Sequence, residues 1–600
     1  MALSSADIVE AFQDFDITIK DDSISQMLYD IALSFDFDVD TILNEWLAYQ
    51  SRNRNCTLNI TNLENFQKHI SSTKKQSNST TLNSAKNDEN LFVDEIMMSP
   101  SAKTFSAESP LNILGGYCTP ANKKKIRELE VSPKLLTPLK ATQNLIPLSP
   151  YSASPAQKYS SRNNSGTVVQ LLTDPVESES PNEQWWSKDT LISSDVTCVG
   201  GIGSKVSSKY MFQKTMDLSD IVNDGIENDA DEILGKNTSV EFDFYSPCAA
   251  SEQNPVVVVG RIASELGCRL NIHSILLVGD RSISNGKSVL VDVSLLKQFS
   301  FFPGQVVALQ GTNPSGKKFI ATKVMTKVSD PGRIIVSNPK DMKKDSMVTV
   351  CCAAGPFTTS DSLSYEPLLD LIKVVKEKKP SLTILIGPLV DEEHTEIKGS
   401  SIGESFISLS QKWLNWTCEN LVGFTNLVFV PSQRDVFHQP VYPQPAYDVP
   451  HKKENVFFAS DPCTLKVHGI NFGMTSVDSL FHLGAEEISM TGEGTPQDRL
   501  SRLTSHLIDQ QSFYPLYPGH ESLCIDWESA EVGFKMVKSN IPDVLIVPSN
   551  LKSFAKCING RLCVNPGRLA KGLSGGSYAM IALNKSSQDS ISSIAEIIKT

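Results

Sequence analysis

Val348-Thr-Val-Cys-Cys-Ala-Ala-Gly-Pro-Phe357 sets the pattern for the C-terminal half of this 600-residue chain. An apolar run enters a Gly-Pro elbow, and related runs recur as Leu382-Thr-Ile-Leu-Ile-Gly-Pro-Leu-Val-Asp391, Leu427-Val-Phe-Val-Pro-Ser-Gln-Arg-Asp435 and Val544-Leu-Ile-Val-Pro-Ser-Asn550. Short continuous apolar runs between turn signals read as strands of a sheet covered on its faces. Helical periodicity at Tyr365 to Lys378 and Phe406 to Leu421 supplies the covering layers. Residues 341–600 therefore predict a layered α/β domain, with functional loops at the carboxyl ends of its strands.

Upstream the rhythm shortens. Between Pro255 and Pro339 lie VVVVG, SILLVGD, SVLVDVS, QVVALQG, KKFIATKVM and RIIVS, separated by Gly, Asn and Pro turns. Such spacing suits a compact all-β Greek-key barrel, an OB-fold over 246–340. Residues 255–340 carry eleven bases against four acids. A single-strand binder needs stacking aromatics on the barrel face as well. The stretch offers Phe299, Phe301, Phe302 and Phe319, the first three before a Pro303-Gly304 turn. Protein docking and nucleic-acid binding both stay open for it.

Residues 196–245, with a helical stretch around Lys209 to Leu234, read as a helical connector packing on the C-terminal body. Residues 71–195 are rich in Ser, Thr, Asn, Lys and Pro and predict a disordered linker, because such composition buries too little apolar area to offset chain entropy. The linker holds eight Ser/Thr-Pro pairs, among which Ser132, Thr137, Ser149 and Ser154 are candidate phosphorylation sites. Phosphates there would reverse a local charge of eleven bases against seven acids over residues 71–160. Lys123, Lys124, Lys125 and Arg127 form a candidate nuclear localisation patch. Residues 1–70 carry twelve acids against four bases, with Ile24, Met27, Leu28 and Ile31, then Val39, Ile42, Leu43 and Trp46, at helical steps. They predict a small all-α module whose acidic faces are either solvated surface or a docking site.

The net charge of −13 argues against a protein whose whole surface grips nucleic acid. Twelve cysteines occur without one CxxC, so zinc-knuckle spacing is absent and reduced thiols in an intracellular protein are expected. No apolar run approaches the roughly 18 residues of a membrane span.

The elbows decide the chemistry. A two-metal phosphoesterase needs five or more ligands to neutralise and hold paired cations. That family draws them from strand-end motifs of the types DxH, GDxxD, GNH(D/E) and GHxH. Here the first position falls on Ala353-Ala354-Gly355, and Pro388 stands where the bridging carboxylate belongs. The third motif is replaced by Ser432-Gln433-Arg434-Asp435, where Arg434 would repel a cation, and the fourth by Pro548-Ser549-Asn550. Ala353, Gly355, Pro388, Gln433, Arg434 and Ser549 thus mark a degenerate metal site. No catalytic residue, metal or cofactor is expected. The enzymatic alternative is a phosphodiesterase or nuclease with unorthodox ligands such as Asp391, Asp435 and His438.

FFPGQVVALQG at 301, AAGPFTTSDSLSYEPLLDLI at 353, LVFVPSQRDV at 427, QPVYPQP at 439, LFHLGAEEIS at 480, FYPLYP at 513 and CVNPGRLAKG at 563 resemble the B-subunit family of replicative DNA polymerases, and within it the branch accompanying polymerase alpha. The resemblance implies an OB barrel followed by an inactive calcineurin-like phosphoesterase domain over 341–600. It also implies a non-catalytic scaffold in the nucleus, serving the polymerase alpha and primase assembly that makes RNA-DNA primers. Barrel and platform would bind the zinc-bearing C-terminal domain of the catalytic subunit. Primase and DNA would be reached through the complex, and the N-terminal module would recruit other replication factors. Phe437, Tyr442, Tyr447, Phe513, Tyr514 and Tyr517 are candidate aromatic anchors for a partner.

Overall fold

A computed structural model describes residues 22–35, 157–173, 196–202, 210–236, 245–265, 269–327, 331–337, 347–400, 402–449, 454–492, 498–537, 540–586 and 589–600, with nine single positions between 12 and 342. The chain divides into two compact units, Met1–Ile146 and Pro147–Thr600. In the first, helix α1 (Asp22–Phe35) buries Leu28, Ile31 and Ala32, the stripe that three- and four-residue spacing selects. Phe12, Ile42, Trp46, Leu63 and Phe66 are also fully buried, and Trp46 meets Phe66 edge-on at 5.2 Å.

The second unit opens with a difference from the expected linker. Residues 157–173 are ordered: a one-turn helix α2 (Gln157–Ser160) precedes strand β1 (Val168–Leu172), which pairs antiparallel with β23 (Ile591–Lys599). Tyr159 is buried, its hydroxyl donates to Asp370 at 3.0 Å, and Arg162 pairs with the same carboxylate and donates to the Thr600 carbonyl. Local composition cannot register this, because the partners lie more than two hundred residues away. Strand β2 (Val196–Gly200) likewise pairs with the platform, so the 196–245 connector is not wholly helical.

Helix α3 (Thr215–Lys236) lies against the barrel, with Ile226, Ala230 and Ile233 meeting Val257, Val259, Val306, Ala308 and Met325. The barrel closes in the order β3 (Glu252–Ser264), β4 (Ile275–Val278), β5 (Ser288–Asp292), β8 (Lys318–Met325), β7 (Val306–Asn313). Alternate residues of these strands fill its interior, including Val258, Ile262, Leu277, Val291, Leu309 and Phe319. Strand β6 (Phe299–Phe301) leaves the barrel and joins the platform.

The platform has four layers. One sheet runs β1-β23-β22-β10-β11-β12-β13, with β9 (Ile334–Val336) also on β23. Its strands include β10 (Met347–Ala354), β11 (Leu382–Ile386), β12 (Asn426–Val430), β13 (Val456–Phe458) and β22 (Ser577–Lys585). The other runs β18-β19-β17-β15-β14-β2, from β14 (Cys463–Val467), β15 (Ile470–Met474), β17 (Val544–Ile546), β18 (Phe554–Ile558) and β19 (Arg561–Asn565). Even-numbered Val350, Cys352, Ile384 and Val428 meet Leu465, Phe472, Ile546 and Leu562 in one core between the sheets. Odd-numbered Cys351, Ala353, Leu385 and Phe429 are buried as well, so these strands are continuously apolar. Helices α4 (Glu366–Lys378), α5 (Thr395–Lys398) and α6 (Phe406–Leu421) follow the first sheet's strands, and Tyr365 stacks on Trp413 at 3.9 Å. Over the second sheet, α7 (Ser479–Glu486) and α8 (Arg499–Asp509) pack Leu480, Leu483, Leu503 and Leu507 onto Leu545, Val547 and Cys563. Helix α9 (Trp527–Gly533) follows and touches α3. Among the described residues no helix is long and apolar enough to cross a membrane.

Barrel and platform are joined by paired polar groups. Strand β6 pairs antiparallel with β16 (Ile488–Met490). Ser300 Oγ donates to Glu487 at 2.5 Å, and Glu487 also meets Arg502 at 2.8 and 3.0 Å and His506 at 3.0 Å. Burial alone would raise the Glu487 carboxyl, but the bonds from His506, Arg502 and Ser300 hold it down at about 2. Gly304 lies so close to the Pro515–Tyr517 backbone that no side chain fits there.

Candidate functional site

The strand-end elbows seal one another. Strands β10, β11 and β12 run parallel, so their C-terminal turns lie side by side. Gly355 N donates to Ile386 O and Gly387 N to Val430 O, both at 2.8 Å, carrying the ladder into the turns. A Cβ on Gly355 would strike the Pro388 carbonyl, and one on Gly387 would stand 2.6 Å from Asp435 Oδ2. Glycine is required at both by this close approach. Ala353 is fully buried in β10 and points no polar atom at the turns.

The acidic groups around these turns are already committed. Asp435 is 1% exposed and accepts from Leu389 N at 2.6 Å, Ser432 N at 2.9 Å, Val390 N at 3.1 Å and the Tyr447 hydroxyl at 2.5 Å. Burial pushes its carboxyl up to about 6 against the downward pull of these donors. The Asp391 and Asp435 backbones pair in an isolated antiparallel β-bridge, and the Asp391 carboxylate takes a two-pronged pair from Arg434: Nε at 3.0 Å and Nη2 at 2.5 Å. The guanidinium that reads as cation-repelling in sequence thus supplies the positive charge locally. Gln433 turns away, donating to the Cys524 carbonyl at 3.2 Å.

The β17 elbow is closed in the same way. Ser549 N donates to Asn565 Oδ1 at 2.9 Å, Ser549 Oγ accepts from Leu551 N at 3.1 Å, and Asn550 N donates to Asp478 at 2.7 Å. Arg568 donates to Asn550 Oδ1 at 3.3 Å and lies near Asp478. Burial lowers its affinity for its proton; Asp478 works against that and Arg434 with it. Of the unorthodox ligands, His438 is spoken for by the Pro445 carbonyl at 2.8 Å. Among the described residues no group of three or more His, Cys, Asp or Glu is placed to hold a metal.

The barrel's aromatic residues Phe299, Phe301, Phe302 and Phe319 are buried, which leaves none of them as a stacking surface for bases. Tyr442, Tyr447, Phe513 and Tyr514, expected as partner anchors, are core residues. Ser132, Thr137, Ser149, Ser154, Lys123, Lys124, Lys125 and Arg127 lie outside the described residues. Sequence reasoning overlooks the apolar groups that do reach the surface, Met211, Phe212, Met216 and Val532, because nothing in their spacing distinguishes an exposed stripe from a buried one.

Comparison with known proteins gives a consistent identity. Residues 350–556 match the family of B subunits of DNA polymerases alpha and epsilon. Residues 219–327 match the OB domain of the DNA polymerase alpha B subunit, and 6–72 match its N-terminal family. The chain is similar to the DNA polymerase alpha B subunit of Mus musculus, 33% identical over 98% of this chain and 96% of that one, and to that of Rattus norvegicus, 34% identical with the same coverage. The Schizosaccharomyces pombe relative is 31% identical over 62% of this chain and 67% of its own length. Among solved structures, Chaetomium thermophilum Vps29 aligns with 42% of this chain and 98% of its own at 11% identity, with a TM-score of 0.18, too slight a likeness to bear on the fold. The chain belongs to the family of B subunits of DNA polymerase alpha.

Proposed function

We propose that this protein is a scaffold of the polymerase alpha and primase assembly, built on a phosphoesterase frame of calcineurin-like type whose metal site has been replaced by protein contacts. The family is that of an accessory, non-catalytic subunit. The observation that supports the reading is the packing of Gly355 on Pro388 together with the Arg434–Asp391 pair, which on this reading stand in for the paired cations of an active relative. A pair of cations 3.5–4 Å apart, by the usual spacing of such sites, needs open coordination positions that these turns do not leave.

On this reading the barrel and platform together grip the zinc-bearing C-terminal domain of the catalytic subunit. Primase and DNA are engaged through the complex, in the nucleus. The N-terminal helical module recruits other replication factors, under the control of the Ser/Thr-Pro linker. The experiment has two arms. The purified chain, titrated with Mn2+ in the presence of bis-p-nitrophenyl phosphate, is expected to show no turnover that depends on Asp391, Asp435 or His438; such turnover would overturn the scaffold reading. Tagged chain, full-length or lacking residues 1–156, is expected to co-purify with the catalytic subunit in both forms. Loss of that subunit with the truncation would move the gripping surface to the N-terminal region.

A further inference from the structure

The seam between barrel and platform leaves a buried polar atom, Arg261 Nε, unsatisfied among the described residues. Beneath α3, against the barrel and the segment from Gln510 to Val537, lies a cavity of about 870 Å3. Buried polar atoms in folded proteins are almost always hydrogen-bonded. Among the described residues, one such atom on this wall is not. Arg261 Nε has no partner, although the same guanidinium donates from Nη2 to the Val222 carbonyl at 2.9 Å. Gln511, 6% exposed, also lines the cavity, and its side-chain amide makes no hydrogen bond to another described residue. Lys327, by contrast, is occupied by Asp229 and Glu232.

A second cavity of about 620 Å3 lies next to the first, with Tyr517 and Trp527 lining both. Beyond it the chain is tied to the platform: the Tyr210 hydroxyl donates to Gln439 at 2.9 Å and Met211 N to Asp526 at 3.1 Å. Met211 is held at φ 61°, a strained conformation for a residue with a side chain. There Met211, Phe212 and Met216 stand 50%, 75% and 69% exposed, and Val532, on the wall of the first cavity, is 64% exposed. Exposed apolar groups beside a trough mark a docking site more often than chance placement does.

Charge says what docks. Asp231, Glu521 and Glu531 are exposed carboxylates of the lining, whereas Lys535 is its one exposed base among the described residues. That rim repels a phosphate backbone and attracts Lys and Arg. Arg261 already has the Asp229 carboxylate as a charged neighbour, so a neutral acceptor suffices for its free N–H. We propose that the trough binds an extended, basic and apolar segment of a partner polypeptide. An apolar side chain covers Trp527, a main-chain carbonyl meets Arg261 and Gln511, and Lys or Arg side chains lie along the rim. The inference rests on the reading that this chain works by gripping other subunits.

The test compares hydrogen–deuterium exchange and amine cross-linking of the full chain, alone and in the complex reconstituted with the polymerase alpha catalytic and primase subunits. The expected result is slowed exchange over 221–235 and 515–537 in the complex, with cross-links from Lys535 to lysines of a partner segment that mixes apolar and basic residues. Glu531→Lys combined with Val532→Arg, both at exposed positions, should weaken assembly at least ten-fold while leaving the melting temperature of the free chain unchanged. Assembly with unaltered exchange at the trough, cross-links to an acidic segment, or full affinity in the double variant would each overturn the proposal. Failure of the unmodified chain to assemble at all would instead overturn the scaffold reading beneath it.

Discussion

The strand-end elbows and the barrel–platform seam are opposite solutions to burying polar groups. At the elbows, Asp435 takes four donors, Asp391 is matched by Arg434, and the glycines bring backbone against backbone, so these carboxylates are already committed within the chain. At the seam, a cavity persists with Arg261 Nε buried and unpaired among the described residues and the Gln511 amide on its wall, beside apolar side chains held out in water. A buried group left unsatisfied costs about 1–3 kcal/mol, which a stable fold tolerates where another molecule completes the set. The contrast teaches that the ends of the strands, where an α/β enzyme keeps its chemistry, are here closed by the chain's own backbone and side chains.

The sharpest way to break that contrast is to open the elbows. Gly355→Val drives a branched side chain into the Pro388 carbonyl, and the loss should be about 3 kcal/mol or more, since neither backbone can retreat. A urea titration followed by tryptophan fluorescence measures it. A loss below about 1 kcal/mol would mean the turns are less tightly joined than their geometry implies.

The buried carboxylate should show itself in pH dependence. Asp435 has a folded value of about 6 against roughly 4 in the unfolded chain, so the folded state holds its proton longer. Its stabilising contribution is full below pH 4 and is lost as pH rises through 6. Asp435→Asn removes that slope. The stability of the native chain relative to this variant should therefore fall by about 2–3 kcal/mol between pH 4 and 7, read from urea midpoints. A relative stability that rises over the same window would reverse the assignment. Arg434→Ala comes next. It strands Asp391, 7% exposed, without its guanidinium, and because Arg434 itself is partly in water the cost should be about 2 kcal/mol.

Much of the elbow region was legible in the sequence, since its apolar strands and Gly-Pro turns are local signals, and the helices fall at Glu366–Lys378 and Phe406–Leu421 where periodicity puts them. What was not legible is pairing at a distance. Arg434 reads as a group hostile to cations, and only the fold brings it to Asp391, 43 positions away. Val168–Leu172 sits in a Ser- and Asn-rich stretch and becomes a strand because Ile591–Lys599 offers it an edge. Tyr442 and Tyr514 look like anchors for a partner, yet α7, α8 and the second sheet bury them. Met211 and Phe212 escape notice for the converse reason: an apolar pair before a helix reads as core until the platform is seen to hold it outward.

The finest test lies between two adjacent residues. Gln510 and Gln511 are 7% and 6% exposed, chemically identical and next to each other. Gln510 pairs with the barrel as a strand would, its Oε1 accepting from Val306 N at 2.9 Å and its Nε2 donating to Val306 O at 3.2 Å. Gln510→Met keeps the volume but leaves both backbone groups of Val306 unpaired, which should cost about 1–2 kcal/mol. Gln511→Met removes an amide that no described residue satisfies, and the change should stay within about 0.5 kcal/mol or be slightly stabilising. Equal losses at the two positions, measured by urea unfolding, would show that the Gln511 amide is satisfied within the folded chain. The trough would then be as self-sufficient as the elbows. Unequal losses would mean that water or a partner must complete it, and burial of that amide on complex formation would then choose between the two.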